Sequence, residues 1–577
     1  MKLRNLPQII LDLNICTIFI ILSMFTLKYI LPIGQTTRFF DRSYILAGLV
    51  LFFLIILLAL SLFIQKDFKL KKKFQLPELK DITLLSLPMS PIISFIILNT
   101  EYLNLIGFIY VLIVPFLFSC FFTFVLPYAF SYFGSNKMLM ISGLAISYTT
   151  LNMAQITNNP TTHLFESQFL TQVLYLIGSF IITYILYSFN KKVAYSVLVT
   201  FMISGAFLSY FNKTSYNNSH AATSLDRLKL FLNNDQNKII HKKNIYILIF
   251  ESYSNSETLE SYGFNNEKQL TFLQENGFSV YRGTYSKGST SLASTSRILE
   301  LRNNFSKDAR HHMNGNAFIL DAFKANGYKT IGLFKSPYAF GSSPIKWDQY
   351  YPKDDVTKIG GKTILKAIYE GYFRFDIFDD NYDSATYLKL RNKYLSDKNR
   401  QPKLFYTHGE YPGHSQNSGK CLQDEKEIHF KGMKKANIQM KKDIRVLKEN
   451  NPKSIIVIVG DHGPYLTKNC TALKKYKQNK INRLDIQDRY GAFLAIHWPK
   501  DLKTNEYNIQ IIQDIFPAIL GNITSNKKLF DELKLNRDSL YDYKERIAGV
   551  NISNGIIIGG EDDKKPLFEN RSYILDK

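Results

Sequence analysis

The chain has 577 residues, 46% of them hydrophobic, with 71 Lys and Arg against 48 Asp and Glu, for a formal net charge of +23. That length allows several domains, and a mean hydropathy of only −0.10 beside so much apolar content implies that apolar and polar residues are segregated along the chain rather than mixed. The positive balance is a poor sign of nucleic-acid binding, for want of a reading motif.

Residues 1–211 are dense in Ile, Leu, Phe and Tyr and read as a membrane domain. Apolar runs long enough to cross about 30 Å of hydrocarbon lie near 9–31, 45–64, 82–98, 105–128, 139–156, 169–188 and 193–211, which gives about 5–7 spans. The first run is followed by more spans and by no small-residue cleavage site, which argues against a removed signal peptide. Lys2, Arg4, Lys66, Lys69, Lys71, Lys72, Lys73, Lys80, Lys137, Lys191 and Lys192 mark the cytoplasmic segments. The alternating segments NTEYLN and QITNNPTTHLFES carry no Lys or Arg, and only Arg38 and Arg42 point the other way. An odd number of spans with the N-terminus inside places the rest of the chain outside the cytoplasm.

Residues 212–240 read as a polar linker with a short amphipathic helix, and 241–577 as an extracytoplasmic domain. In the latter, NIYILIF (244–250) and SIIVIVG (454–460) are short continuous apolar runs, the pattern of central parallel strands covered on both faces. AFLAIHW (492–498) reads as a third strand, and NAFILDAFKANGYKTIGLF (316–334) as helix, turn and strand. The expected fold is α/β with a mostly parallel sheet. Cys16 and Cys120 sit in apolar runs as small hydrophobes, whereas Cys421 and Cys470 could form one disulfide in an oxidising compartment. The excess of cations suits solvated lysines and attraction to anionic head groups, and no nucleic-acid reading motif accompanies it.

Ligands of open α/β sheets bind beyond the carboxyl ends of the strands. Glu251 is the first residue after one apolar run, and Asp461 and His462 directly follow Gly460 at the end of another. Two carboxylates and an imidazole make a reasonable ligand set for Zn²⁺ or Mn²⁺. In YSKGSTSLASTSRILEL (285–301), Gly288 permits a tight turn, and Ser289, Thr290 and Ser291 present hydroxyls at the start of an amphipathic helix. Phosphate is favoured at such a terminus, although an ordinary Ser/Thr cap has the same appearance.

Together and in this order, FES (250–252), GST (288–290), GDHG (460–463) and QDIFPAILG (513–521) resemble the alkaline phosphatase/sulfatase superfamily. Within it the plan of several spans followed by an exported domain is similar to the membrane-anchored lipid head-group transferases: lipoteichoic acid synthases, glucan phosphoglycerol transferases and phosphoethanolamine transferases. The resemblance implies Glu251, Thr290, Asp461 and His462 as ligands of one or two divalent ions, Zn²⁺ or Mn²⁺. It implies a nucleophile at Thr290 if Gly-x-Thr is matched, or at Ser291, with Ser294 three residues on, if the phosphoethanolamine transferase spacing is matched; Thr290 is the preferred expectation.

The sulfatase pattern of Cys or Ser followed by x-Pro/Ala-Ser-Arg fails here. Thr295 takes the place of Arg in SLAST (291–295), and the register ending at Arg297 puts Ala293 at the nucleophile. The family's substrate histidine lies in a His-x-Pro segment that this chain lacks, leaving His408 and His414 in FYTHGEYPGHSQNSGKC (405–421) as open alternatives for binding substrate.

The resemblance implies an enzyme of the bacterial cytoplasmic (inner) membrane. Its donor would be a phospholipid, phosphatidylglycerol or phosphatidylethanolamine, and its acceptor an envelope glycan or glycolipid, with transfer through a phospho-threonine on Thr290. The alternatives are a sulfatase- or phosphodiesterase-type hydrolase, and a transport or scaffold protein with a non-catalytic exported domain.

Overall fold

The computed structural model describes residues 78–98, 105–130, 136–158, 168–303, 309–335, 345–352, 384–399, 401–415, 423–470, 473, 476–542, 545–546 and 549–575. Two compact units divide the described chain between Tyr216 and Asn217.

The first unit is helical: α1 (Ser86–Leu98), α2 (Leu105–Cys120), α3 (Asn136–Asn158), α4 (Gln168–Phe189) and the start of α5 (Lys191–Asn233). Among the described residues, three helical segments are long and apolar enough to cross a membrane: Lys80–Ile97, Leu105–Tyr128 and Lys192–Phe211. A shorter apolar stretch, Tyr175–Ile185, lies in α4. The expected run 139–156 coincides with α3, whose Ser142, Ser147, Thr149 and Asn152 dilute its apolar character. The runs expected at 9–31 and 45–64 lie outside the described residues. Along α2, Leu105, Ile106, Ile113 and Leu117 stay exposed while Val111 and Pro115 are buried, so the helix packs by one stripe and leaves large apolar side chains outside it.

The stretch 212–240, read from sequence as a polar linker with a short amphipathic helix, is helical through Asn233. The last turns of α5 belong to the second unit. There the Arg227 guanidinium donates to the carbonyls of Glu300 and Leu301 at 2.8 and 3.0 Å and stacks over the Phe318 ring.

The second unit is built on a seven-stranded sheet. Its strands are β1 (Ile245–Phe250), β2 (Phe278–Tyr281), β3 (Lys329–Phe334), β4 (Gln349–Tyr351), β5 (Lys403–His408), β6 (Ile455–Gly460) and β7 (Leu494–His497), in the order β2-β7-β6-β1-β5-β3-β4. The block β6-β1-β5-β3-β4 is parallel, and β7 alone runs the other way, pairing antiparallel with β6 on one side and with the edge strand β2 on the other. The sheet is therefore mostly parallel, as the continuous apolar runs imply.

β1 shows why its sequence has no polar alternation. Ile245, Ile247 and Ile249 enter one core cluster and Tyr246, Leu248 and Phe250 enter the other. Both faces are covered, and all six residues are buried. The covering helices include α6 (Ser291–Glu300), α7 (Phe318–Ala325), α8 (Ser384–Leu395), α9 (Glu425–Asn450) and α10 (Ile515–Ile523). Between α8 and α9 the buried Arg391 donates to a single Asp443 oxygen at 2.7 and 3.0 Å, so the one acid in the middle of α9 faces inward.

Cys470 is disulfide-bonded, and Cys421, expected from sequence as its partner, lies outside the described residues. Cys120 is a free thiol.

The carboxyl end of β6 passes very close to the turn after β1. A Cβ added to Gly460 would stand 1.8 Å from the Tyr253 carbonyl oxygen, a backbone atom with no rotamer to yield. Gly460→Ala is expected to cost about 3 kcal/mol through this overpacking. The check is a thermal melt, where a drop of several degrees is expected; an unchanged midpoint would show that the two strand ends are not held together.

Candidate metal centre and hydroxyl nucleophile

Three adjacent parallel strands end side by side, and each delivers one charged or polar group. β1 stops at Phe250 and is followed by Glu251, β6 stops at Gly460 and is followed by Asp461, and β5 ends on His408 itself. One ligand atom from each of Glu251, His408 and Asp461 lies within 4.8 Å of the others. His408 Nε2 is 3.2 Å from a Glu251 oxygen and 3.1 Å from an Asp461 oxygen. His462 Nε2 stands 3.3 Å from the other Glu251 oxygen and 3.5 Å from Asp461. A compact set of two carboxylates and two imidazoles matches the donors that borderline divalent ions such as Zn²⁺ accept. The residues present therefore fit a divalent metal.

Backbone geometry locks this set. Ser252 adopts φ 57, a left-handed conformation costly for a residue with a Cβ. Its amide donates to Asp461 at 2.8 Å, and its hydroxyl lies 3.3 Å from His462 Nδ1. The His462 amide also donates to Asp461, at 3.0 Å, and His462 Nδ1 lies 2.8 Å from the Gly463 carbonyl, which orients the ring with Nε2 toward the carboxylates.

The electrostatics follow from burial and pairing. Burial opposes charge on Asp461, yet the neighbouring imidazoles of His462 and His408, together with the Ser252 amide, hold its carboxyl well below the usual carboxylate range. Burial likewise disfavours an imidazolium at His462, but Asp461 and Glu251 push its pKa up to about 9. His408 is raised for the same reason, against the same burial.

The hydroxyls divide cleanly. Thr290 is the N-cap of α6, its Oγ1 accepting from the Ala293 amide at 3.3 Å. Ser291, the first residue of the helix, donates to the two Glu251 oxygens at 3.1 and 3.0 Å and lies 3.3 Å from His462 Nε2. The structure thus brings Ser291 to Glu251 and His462, two members of the cluster, and gives the Thr290 side chain to the helix cap.

Behind the hydroxyl loop, Gln513 Nε2 donates to the Ser294 carbonyl and its Oε1 accepts from the Lys287 amide, at 3.2 and 3.1 Å. Ser286 bonds both Ser294 and the Gly288 amide. Gly288 has no room for a Cβ, which would stand 2.5 Å from the Ala293 backbone.

His414 lies further out, its Nε2 3.9 Å from Glu251 and its side chain 39% exposed, the most open imidazole of the cluster. Its loop is pinned from below: Gly413 donates to the Glu251 carbonyl at 3.0 Å, and the buried His429 of α9 bonds the Gly413 carbonyl at 2.8 Å. Burial pushes the His429 pKa down to about 4, so it stays neutral and donates.

Two residues of the site have no role in the sequence reading, Ser252 and Tyr465. Tyr465 Oη donates to the Ser289 carbonyl at 2.8 Å, and its ring lies against those of His462 and His414. Ser252 lies within FES and Tyr465 two residues beyond GDHG, each beside residues whose chemistry is more conspicuous.

No protein-family model matches the chain, and no curated protein matches it. Several solved structures are similar. The integral membrane lipooligosaccharide phosphoethanolamine transferase A from Neisseria meningitidis is 15% identical, with TM-score 0.34, covering 78% of this chain and 96% of that one. The C-terminal periplasmic domain of EcEptC from Escherichia coli is 13% identical, with TM-score 0.33, covering 50% and 84%. A protein in the alkaline phosphatase superfamily from Vibrio parahaemolyticus is 14% identical, with TM-score 0.35, covering 57% and 80%.

A metal must displace the proton that the carboxylates hold on His462. Apparent affinity for Zn²⁺ is therefore expected to rise about tenfold per pH unit between 6.5 and 9 for that proton. Metal-free protein behaves oppositely: a pKa raised from 6.5 to about 9 contributes stability that is complete below 6.5 and is lost as pH rises through 9. Melts at pH 6.5 and 9, with chelator and with Zn²⁺, should diverge as pH rises; parallel curves would remove His462 from the centre.

Proposed function

We propose that the second unit is a metal-dependent transferase. It moves a phosphoglycerol or phosphoethanolamine head group from a membrane phospholipid to an envelope glycan or glycolipid through a covalent adduct on Ser291. The observation that carries this reading is the Ser291 hydroxyl at the first position of α6, against Glu251 and beside His408, Asp461 and His462. The apolar helical segments of the first unit supply the reason for a lipid donor, since a site tethered to a bilayer meets its lipids at high effective concentration.

Glu251, His408, Asp461 and His462 would hold the divalent ion. When bound, such an ion lowers the pKa of a nearby hydroxyl and offsets charge on phosphoryl oxygens. The chain's own groups do the rest. Glu251 accepts the Ser291 hydroxyl hydrogen, which turns an oxygen lone pair outward at the helix N-terminus, where the dipole favours a phosphate. Ser291 Oγ forms a bond to phosphorus as the bond from phosphorus to the diacylglycerol oxygen breaks, and the open imidazole of His414 protonates the departing oxygen. An acceptor hydroxyl then gives its proton to His414 and attacks the same phosphorus. The proton that Ser291 releases to water as Oγ bonds to phosphorus is regained from water when Ser291 leaves, and every group returns to its starting state. Thr290 holds the helix terminus in place through its cap and takes no part in bond making.

The test is release of diacylglycerol from a phospholipid with a fluorescent acyl chain, followed by mass spectrometry of acid-quenched protein. Ser291→Ala is expected to lower turnover by at least about 10³-fold, the scale seen when a nucleophile is deleted, and to abolish the adduct. Thr290→Ala should keep the adduct on Ser291 while losing about 1 kcal/mol of stability with the cap. An adduct on Thr290, or undiminished turnover by Ser291→Ala, would refute the assignment. Release that needs no acceptor would instead identify a hydrolase.

A further inference from the structure

Helix α9 carries a face that neither the fold nor the proposed chemistry uses. Its buried side includes His429, Met433, Ala436, Met440, Asp443 and Leu447. The opposite side presents Ile428, Lys431, Lys435, Ile438, Lys442 and Arg445 at successive spacings of three and four, all exposed, with Lys434 beside them. Among the described residues, none of these five cations is in an ion pair. From Ile428 to Lys448 the only acid is Asp443, which is buried and paired with Arg391. Two large aliphatic side chains are set into the cationic stripe, Ile428 at 42% exposure and Ile438 at 70%.

This face adjoins the site. A Cβ on Gly432 would stand 2.1 Å from the Pro412 carbonyl oxygen, so α9 and the loop that bears His414 are in backbone contact. Lys435 Nζ lies 5.0 Å from the centre of the exposed Tyr411 ring on that same loop.

We propose that the outer face of α9 docks on an anionic bilayer surface, the cations meeting lipid phosphates while Ile428 and Ile438 enter the head-group boundary. Charge complementarity selects an anionic partner, and the exposed isoleucines select a lipid surface over a soluble polyanion, which would gain nothing from them. A donor phospholipid must leave such a surface to reach Ser291, and α9 borders the loop that frames the way in. The inference rests on the reading of the substrate as a membrane phospholipid.

The experiment uses the full chain in nanodiscs and requires no turnover, so its outcome is separate from the fate of the Ser291 assignment. The sequence holds only 2 Trp, which makes Ile438→Trp a readable probe. In nanodiscs with lipids brominated high on the acyl chain, fluorescence of Ile438→Trp should be quenched well beyond that of the parent when about a third of the lipid is anionic, and not when all of it is zwitterionic. Adding Lys431→Glu, Lys434→Glu and Lys442→Glu, all on the exposed face, should abolish the extra quenching while the melting temperature stays at the parent value.

No extra quenching in anionic discs, or quenching that survives the charge reversal, overturns the proposal. So does a spectral shift produced by soluble polyphosphate but not by anionic lipid, which would assign the face to a polyanionic chain instead.

Discussion

Two carboxylates share the end of one sheet, and everything in the site answers to that fact. Glu251 and Asp461 belong to neighbouring parallel strands, so their side chains emerge side by side whether or not that is electrostatically comfortable. Two unit charges about 4 Å apart repel by roughly 4 kcal/mol at an effective dielectric of 20. His408 Nε2 lies between them, 3.2 Å from one and 3.1 Å from the other, and His462 touches both. Imidazoles whose pKa values are raised, and a carboxyl held low, are the signature of charge drawn in to compensate. A divalent cation meets the same demand from the same atoms, which is why a proton and a metal compete there.

The position of the hydroxyl follows from how a helix begins. An N-cap side chain folds back onto the amide two or three residues ahead, so the cap residue's oxygen is committed to the helix. The next residue is the first whose side chain can point beyond the terminus. Thr290 and Ser291 illustrate the two roles one residue apart, the first bonded to the Ala293 amide and the second to Glu251. A Gly-Ser-Thr-Ser run gives no local clue to which residue becomes the cap, because all three hydroxyls can perform it. Gln513, more than 200 residues away, helps to fix that choice by bonding the Ser294 carbonyl and the Lys287 amide, beside the Ser286 bond and the Gly288 close approach within the loop itself.

Much of the site was legible along the sequence because it hangs on strands buried on both faces. Such strands must be continuously apolar, so their ends are sharp, and Glu251, Asp461 and His462 stand where the pattern breaks. From sequence His408 is one of two open alternatives for binding substrate, with His414, and not a neighbour of the carboxylates. Its place among them depends on β5 lying next to β1, and strand order is a long-range property that no local pattern records. Ser252 is invisible for a related reason: a left-handed serine is tolerated only because Asp461, 209 residues away, accepts its amide. In the first unit, periodicity marks apolar helices but does not separate a span from a merely apolar helix, as the polar-diluted α3 shows.

Helix α9 ties surface and site into one body. Its inner side sets the His414 loop through the His429 bond to Gly413 and the Gly432 approach to Pro412, both of which join side chain or backbone to rigid backbone. Such contacts have little freedom to yield, so the position of α9 and the position of the loop are set together. His414 is thus placed both by α9 and by the Gly413 bond to the Glu251 carbonyl, whereas Asp461 and His462 stand at the end of the sheet itself. The cationic stripe of α9 and the imidazole given the leaving-group proton in the proposed reaction are therefore carried by one continuous set of backbone contacts.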